Sequence, residues 1–512
     1  MIVLVQRHPL AISLFFIFIA FFLPLPFSPL FDLDEGAFSE ATREMLVNKD
    51  YITTYLNGEL RFDKPILIYW FQLISVKLFG LNEFALRLPS ALAGTLWAMS
   101  IYFFTQKVIN KPTAFFATLF MIASIQINII AKAAIADSLL NLFIVLSMFS
   151  LYYYYKEQKT KLLYWAFFFI ALGTLTKGPV AIMIPLIVTL LFSSIRGNFL
   201  EWIKMVFNPI GILIFVVVAS PWYIAEYMAQ GQAFIDGFFF KHNIGRFSSA
   251  MESHRGTLFY FIPVLIVGFM PFTYFAMKAI TGVKSYIKDD LKLYLFLWFA
   301  FVFVFFSFSG TKLPHYVIYG YTPLFILSAL YLQKNVSKAW LIYPILLLLT
   351  LLLFLPNIAT IFKESIRDEL AQVLIENSYE TFDIWYRLLI ISVMLFLLFL
   401  LKFLQKTESI VMGVALAMIV SVNFIVIPTY GKLMQLPIKE AALLVKNKPY
   451  KNIVMYGIST PSFNVYYEEL VSKKRPKSGD IVFTKTPKLK DFKNYKILYK
   501  KNGFTLIKLG DN

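Results

Sequence analysis

No cysteine occurs in this chain, which excludes a disulfide, a thiolate nucleophile and thiolate metal ligation at once. Histidine is nearly as scarce, with four residues in 512. Charged side chains make up 15% of the sequence, where a soluble domain carries about a quarter. Acids are the rarer sign, 30 against 48 lysines and arginines, for a formal net charge of +18. No low-complexity linker and no internal repeat is visible, which weighs against secondary transporters built from paired halves.

What fills the sequence instead is apolar: 59% hydrophobic residues, including 55 Phe and 29 Tyr. The chain reads as a polytopic α-helical membrane protein. Runs long enough to cross a hydrocarbon core of about 30 Å lie near 9–31, 84–106, 112–131, 137–155, 162–176, 179–195, 205–225, 257–277, 293–309, 315–333, 339–356, 384–401 and 409–428, about thirteen in all. The first follows Arg7 and His8, holds Pro24, Pro26 and Pro29 and meets no small-residue cleavage site, so it is read as an uncleaved anchor rather than a signal peptide. Alternate loops hold sixteen lysines and arginines, among them Lys156, Lys159, Lys161, Lys284 and Lys288. That set is cytoplasmic by the positive-inside rule, which places the loop 32–83 and the C-terminus on the outward side of the membrane.

Two domains follow: a membrane part over 1–428 and a small α/β domain over 429–512. In the second, KNIVMYGIS, GDIVFTK, YKILYKK and GFTLIKL predict strands and 462–471 a helix. This domain carries 17 basic against 6 acidic residues. That surplus is either a solvated lysine-rich surface or an attraction to anionic lipid, the latter worth about 1 kcal/mol per basic residue at such a surface.

The membrane part carries its polar groups at the ends of spans, all on the outward side: Asp34-Glu35, Asp63-Lys64-Pro65, Ala136-Asp137-Ser138, the stretch from Lys241 to Arg255, and Lys312 to Tyr316. Each has a plain structural reading beside the chemical one. Asp34-Glu35 suits the first turn of a helix over 37–47 and Asp137 the start of the next. Asp63-Lys64 suits an interfacial ion pair, and Lys177 a snorkelling lysine. Their convergence on one side argues for a membrane-embedded reaction centre formed by the loops 32–83 and 226–256.

The motifs in order are Asp34-Glu35, Arg61 to Pro65 with Tyr69-Trp70, Phe84 to Ser90, Ala136 to Ser138, Leu175 to Pro179, Lys241 to Phe247 and Lys312 to Tyr316. In these the chain resembles the bacterial GT-C glycosyltransferases of the protein-mannosyltransferase-like family, which includes the lipid A aminoarabinose transferases. The resemblance implies a GT-C fold with periplasmic amphipathic loop helices. It also implies inverting transfer of a sugar, an amino sugar such as a pentosamine or hexosamine, from undecaprenyl phosphate to a lipid A phosphate, or to a protein or polysaccharide. No nucleotide and no nucleic acid enter; the partners are the lipid-linked donor, the envelope acceptor and membrane lipids.

Carried onto this sequence, the resemblance makes Asp34, Lys64 and Asp137 the catalytic candidates and Lys64, Arg246 and Arg61 the donor phosphate ligands. Asp63 and His242 become ligands of a divalent metal (Zn, Mg or Mn), with Glu35, His315, Tyr316 and Lys177 as further members. Asp34 deprotonates or orients the acceptor, or stabilises positive charge at the anomeric carbon. The chain departs from the aminoarabinose branch at Ala37 and Phe38, where that branch carries arginine and tyrosine, and at Arg61 and Asp63, where it carries an aromatic residue and glutamate.

Overall fold

The computed structural model describes residues 7–245, 256–332, 336–448, 450 and 452–510. Among them six helices are long and apolar enough to cross a membrane: Glu83–Val108, Asp137–Glu157, Pro209–Gln230, Asp290–Phe308, Ile384–Phe403 and Thr407–Met434. A seventh span is made if Lys338–Leu353 and Leu355–Ser365, bent by 62°, are taken together. Asp137–Glu157 and Thr407–Met434 are mostly buried by neighbouring helices, whereas Pro209–Gln230 and Ile384–Phe403 are mostly exposed. The first two form the centre of the bundle, and the second two offer their side chains to lipid.

Several apolar runs predicted as single spans are broken helices. The run 112–131 divides at Ser124 into Lys111–Ala123 and Ile125–Ile130. The run 257–277 divides into Phe261–Gly268 and Thr273–Thr281 around Pro271, which cannot donate to a helical ladder. The run 315–333 opens as a 3-10 turn, Pro314–Gly320, and turns α-helical only over Tyr321–Ala329. The runs 162–176 and 179–195 are the helices Thr160–Lys177 and Val180–Ile195, separated at Gly178 with its φ of +78°. Inside the loop 32–83 lie two helices, Asp34–Asn48 and the apolar Leu67–Phe79. Between them runs a hairpin of β1 (Tyr55–Leu56) and β2 (Glu59–Leu60). Its Asn57-Gly58 turn has both φ angles positive, the two-residue geometry that matches strand twist. The Glu44 carboxylate accepts both turn N–H groups, at 2.6 and 2.9 Å.

The C-terminal part holds a four-stranded sheet of β3 (Ile453–Tyr456), β4 (Ile481–Lys485), β5 (Tyr495–Lys501) and β6 (Phe504–Leu509), in the order β3-β4-β6-β5. Only the β3–β4 pair is parallel. The helix predicted over 462–471 is Pro461–Tyr467, stopped at Glu468 in the left-handed region. It packs on Asp34–Asn48: the Ser462 N–H donates to Asp32 Oδ1 at 3.0 Å, Arg43 Nη1 to the Glu468 carbonyl at 3.0 Å, and Asn464 Nδ2 to Asn57 Oδ1 at 2.7 Å. Gly36 permits this approach, since a Cβ there would lie 2.8 Å from the Ser462 nitrogen. The C-terminal segment thus braces the first loop helix.

Candidate active site

Asp34 opens the helix Asp34–Asn48 and is exposed, while the next residue is locked. Glu35 accepts Arg87 Nε at 2.8 Å and Nη2 at 2.7 Å, the Phe31 N–H at 2.9 Å and the Ala134 N–H at 2.8 Å. Burial would raise this carboxyl, but Arg87 and the two backbone donors hold it below the ordinary glutamate range. Arg87 spends its other N–H groups on the carbonyls of Leu25, Ser28 and Pro29, at 2.7–2.9 Å. Glu35 is therefore an anchor: it ties the head of this helix to the first span and to the turn 131–136, and leaves Asp34 facing outward beside it. Asp32, two residues earlier, is pushed up to about 7 by burial, against the hydrogen bonds from Ser462.

The hairpin delivers the second group. Asp63 Oδ2 takes Arg61 Nη2 at 3.3 Å, and Asp63 Oδ1 takes Lys64 Nζ at 2.7 Å. His242 Nδ1 stands 3.3 Å from that same Oδ1, carried on the π-helical segment Ile235–Gly245. Arg61 lies 5.3 Å over the Phe38 ring, which in turn stacks on Tyr69 at 5.3 Å. Two of the four departures from the aminoarabinose pattern, Phe38 and Arg61, are thus in contact.

Asp137 collects the third group on one oxygen. Its Oδ1 meets Lys177 Nζ at 2.7 Å, the Tyr319 hydroxyl at 2.9 Å and His315 Nε2 at 3.9 Å. His315 is half-buried beside this carboxylate. Lys64, Lys177, Asp34 and Asp137 all act electrostatically on this one imidazole, and the Asp34 charge acts on Arg61 too. Five of the seven motifs therefore meet at one centre.

A cavity of about 430 Å³ opens there, lined by Asp63, Lys64, Lys177, His242, Tyr316 and Tyr319 and flanked on its apolar side by Met183, Phe305 and Phe306. Arg246, predicted as a phosphate ligand, lies outside the described residues. Lys312, in the same motif as His315, donates to the Ser307 and Ser309 carbonyls at 2.6 and 2.9 Å, which makes it a loop staple. Sequence reasoning assigned no role to Arg87, Tyr319 or Asp32. Arg87 had a signal, an arginine at the start of an otherwise apolar span, which needs a buried partner.

Three comparisons bear out the resemblance drawn from the motifs. The signature of the family described as dolichyl-phosphate-mannose-protein mannosyltransferase matches residues 63–224. The chain is 30% identical over 325 residues to the undecaprenyl phosphate-alpha-4-amino-4-deoxy-L-arabinose arabinosyl transferase of Aeromonas hydrophila, covering 62% of this chain and 59% of that one. It is 30% identical over 338 residues to a transferase of the same name from Proteus mirabilis, covering 65% and 61%. The chain thus spans about three fifths of these curated relatives. Its fold matches that of ArnT from Cupriavidus metallidurans bound to undecaprenyl phosphate, with a TM-score of 0.78 over 99% of both chains at 19% identity. The Archaeoglobus fulgidus oligosaccharyltransferase is more distant, at a TM-score of 0.53 over 91% of this chain and 64% of that one, with 12% identity. The architecture is the GT-C fold.

Proposed function

We propose that this chain is an inverting glycosyltransferase that moves an amino sugar from undecaprenyl phosphate to a lipid A phosphate, at the periplasmic face of a bacterial inner membrane. The observation that carries the reading is the 430 Å³ cavity, in which lysines and an arginine-supported carboxylate face one another beside an apolar wall. Such a lining suits a ligand that is an anion at one end and an isoprenoid at the other. The relatives' names point to the same donor and sugar, and the full-length fold match is to a protein bound to undecaprenyl phosphate.

In this reading the donor phosphate lies against Lys64 with Arg61 behind it. The bond between the anomeric carbon and the donor phosphate oxygen breaks, an oxygen of the acceptor phosphate forms the new bond on the opposite face, and undecaprenyl phosphate leaves with the electron pair. Cations placed where that charge gathers lower the barrier. An acceptor phosphate monoester has its second pKa near about 6 and is already largely ionised, so Asp34 serves to orient and to stabilise positive charge on the sugar ring rather than to remove a proton. Asp137, paired with Lys177, fixes the far wall, and His315 is a hydrogen-bonding group there.

Asp63 and His242 are the residues that would hold a divalent metal. Their ligating atoms stand 3.3 Å apart, and a carboxylate with an imidazole suits zinc. Among the described residues they are not joined by a third acid or histidine, so further ligands would come from the donor phosphate. A bound metal would neutralise the leaving phosphate. Accordingly, His242→Ala should abolish retention of zinc by the purified protein, measured by elemental mass spectrometry, and chelation should cut wild-type transfer reversibly. Retention of zinc at the wild-type level in the variant would remove His242 from the metal site.

The direct test is mass spectrometry of lipid A from cells with and without the gene. Loss of one amino-sugar increment from a phosphate is expected, and its size separates pentosamine from hexosamine. An unchanged spectrum with the protein expressed would move the acceptor to protein or polysaccharide.

A further inference from the structure

Glu226 stands in the last turns of Pro209–Gln230, a span that is otherwise mostly exposed, yet the residue itself is only 1% exposed. Among the described residues no lysine, arginine or histidine pairs with it, and the other carboxylate that acts on it, Asp50, has the same sign. An ionisable side chain buried without a counter-charge is expensive, and inside a membrane span it is by default a functional residue.

What Glu226 holds is the base of the hairpin. Its Oε2 accepts the Thr53 hydroxyl at 2.8 Å, and Gln230 Nε2 donates to the same hydroxyl oxygen at 3.2 Å. One turn earlier Trp222 Nε1 donates to the Ile52 carbonyl at 3.0 Å. Asp50 shapes the loop from the other side: its Oδ1 accepts the N–H groups of Ile52 and Thr53 at 3.0 and 3.1 Å. Thr54 continues the line, with its hydroxyl on the Arg61 carbonyl at 2.5 Å and its own carbonyl accepting the Arg61 N–H at 2.9 Å. Glu226, Thr53, Thr54 and Arg61 are therefore successive links from the span to Asp63, the carboxylate that meets His242. The same span end carries the other side of that pair. The chain leaves it at Gly231, whose φ is +57°, and runs through Gln232–Phe234 into the π-helical segment Ile235–Gly245. Phe62, between Arg61 and Asp63, packs edge-on against Phe234 at 5.8 Å, and Phe234 against Trp222 at 5.7 Å. Gly237 makes room for this, since a Cβ there would lie 2.6 Å from the Phe62 ring.

We propose that Glu226 is a positioning residue: through Thr53 it fixes the base of the hairpin to the span end from which the His242 segment departs, and so sets the spacing of Asp63 and His242. The part that this spacing plays in metal binding and transfer rests on the reading above. Glu226 touches neither substrate nor metal; it acts through the loop it holds.

The chain has no cysteine, so spin labels can be placed at two exposed positions, Glu59→Cys on the hairpin and Lys241→Cys on the π-helical segment. Pulsed electron resonance of the full-length protein in detergent then measures the distance between them. One narrow distance is expected with Glu226 present and in Glu226→Gln, whose amide oxygen still accepts from Thr53. Glu226→Leu and Thr53→Val should each broaden or lengthen it, and the second provides the answer if the first does not fold. Rescue by Glu226→Gln is what a general loss of packing would not show. Zinc affinity of the same proteins without labels should stay at the wild-type level in Glu226→Gln and fall about 10- to 100-fold in Glu226→Leu and Thr53→Val, the range found when a group that orients a ligand is removed. The double variant should bind no more weakly than either single one, because the same bond is lost in all three. An unchanged distance in Glu226→Leu and Thr53→Val would overturn the assignment, as would a Glu226→Gln protein that behaves like Glu226→Leu, because the charge rather than the bond would then be required. A wild-type protein that retains no zinc would remove the metal reading, while the label distances would still decide whether Glu226 positions the two segments.

Discussion

Asp34→Asn should lower sugar transfer by about 100- to 1,000-fold, the range found when one preorganised electrostatic group is removed from a reacting centre, with insertion in the membrane and donor binding intact. The substitution keeps the shape and removes the charge. What it costs the fold is small by comparison. Asp34 stands in the first turn of Asp34–Asn48, where a negative charge is worth about 0.3–1 kcal/mol at an exposed site, and Glu35, kept in its pair with Arg87, still anchors the helix. A loss of activity larger than the loss of stability therefore reports chemistry. Lys64→Ala should produce a comparable defect by a different route, because Lys64 balances Asp63 and faces the donor cavity: donor affinity should fall with it, as it does not for Asp34→Asn. Transfer assays with purified protein, paired with equilibrium binding of undecaprenyl phosphate, separate the two. Activity near wild type in Asp34→Asn, at unchanged lipid A supply, would remove this carboxylate from the reaction.

The convergence of the site was legible because each motif sits at a helix end on one side of the bundle, and the ends of adjacent helices are near one another. Asp34, Lys64, Asp137, Lys177 and His315 were all named from sequence, and the structure brings them together. Their pairing was not legible. Asp137 and Lys177 read as separate candidates, yet they form one ion pair across forty residues, and Glu35 read as a partner of Asp34 although its carboxylate is spent on Arg87. Pairing depends on which helices pack, and one sequence carries no such signal. Hydropathy likewise reports transfer into lipid, not helix continuity, so the breaks at Ser124 and around Pro271 passed as unbroken spans.

Arg87→Met should be the most damaging single change to the fold itself, with a loss of about 3–5 kcal/mol, the usual consequence of leaving one member of a buried pair uncompensated. Three effects coincide. Glu35 keeps its two backbone donors but loses its counter-charge, the carbonyls of Leu25, Ser28 and Pro29 lose their N–H partners, and the brace between the first span, the loop helix and the turn 131–136 is cut. Size-exclusion profiles and thermal unfolding in detergent measure it. The double variant Glu35→Gln with Arg87→Met should recover part of the loss, since no unpaired charge remains, but not all of it, because the three carbonyls stay orphaned. Arg87→Lys discriminates further: it restores the charge but not the planar fork that meets two carboxylate oxygens and three carbonyls at once, so it should fall between wild type and Arg87→Met. If Lys at this position were equivalent to Arg, the ion pair alone would account for the anchor and the carbonyl bonds would be incidental. If the double variant were as unstable as Arg87→Met, the orphaned carbonyls would outweigh the unpaired charge. Either result bears on catalysis, because the Glu35–Arg87 pair anchors the helix turn that carries Asp34.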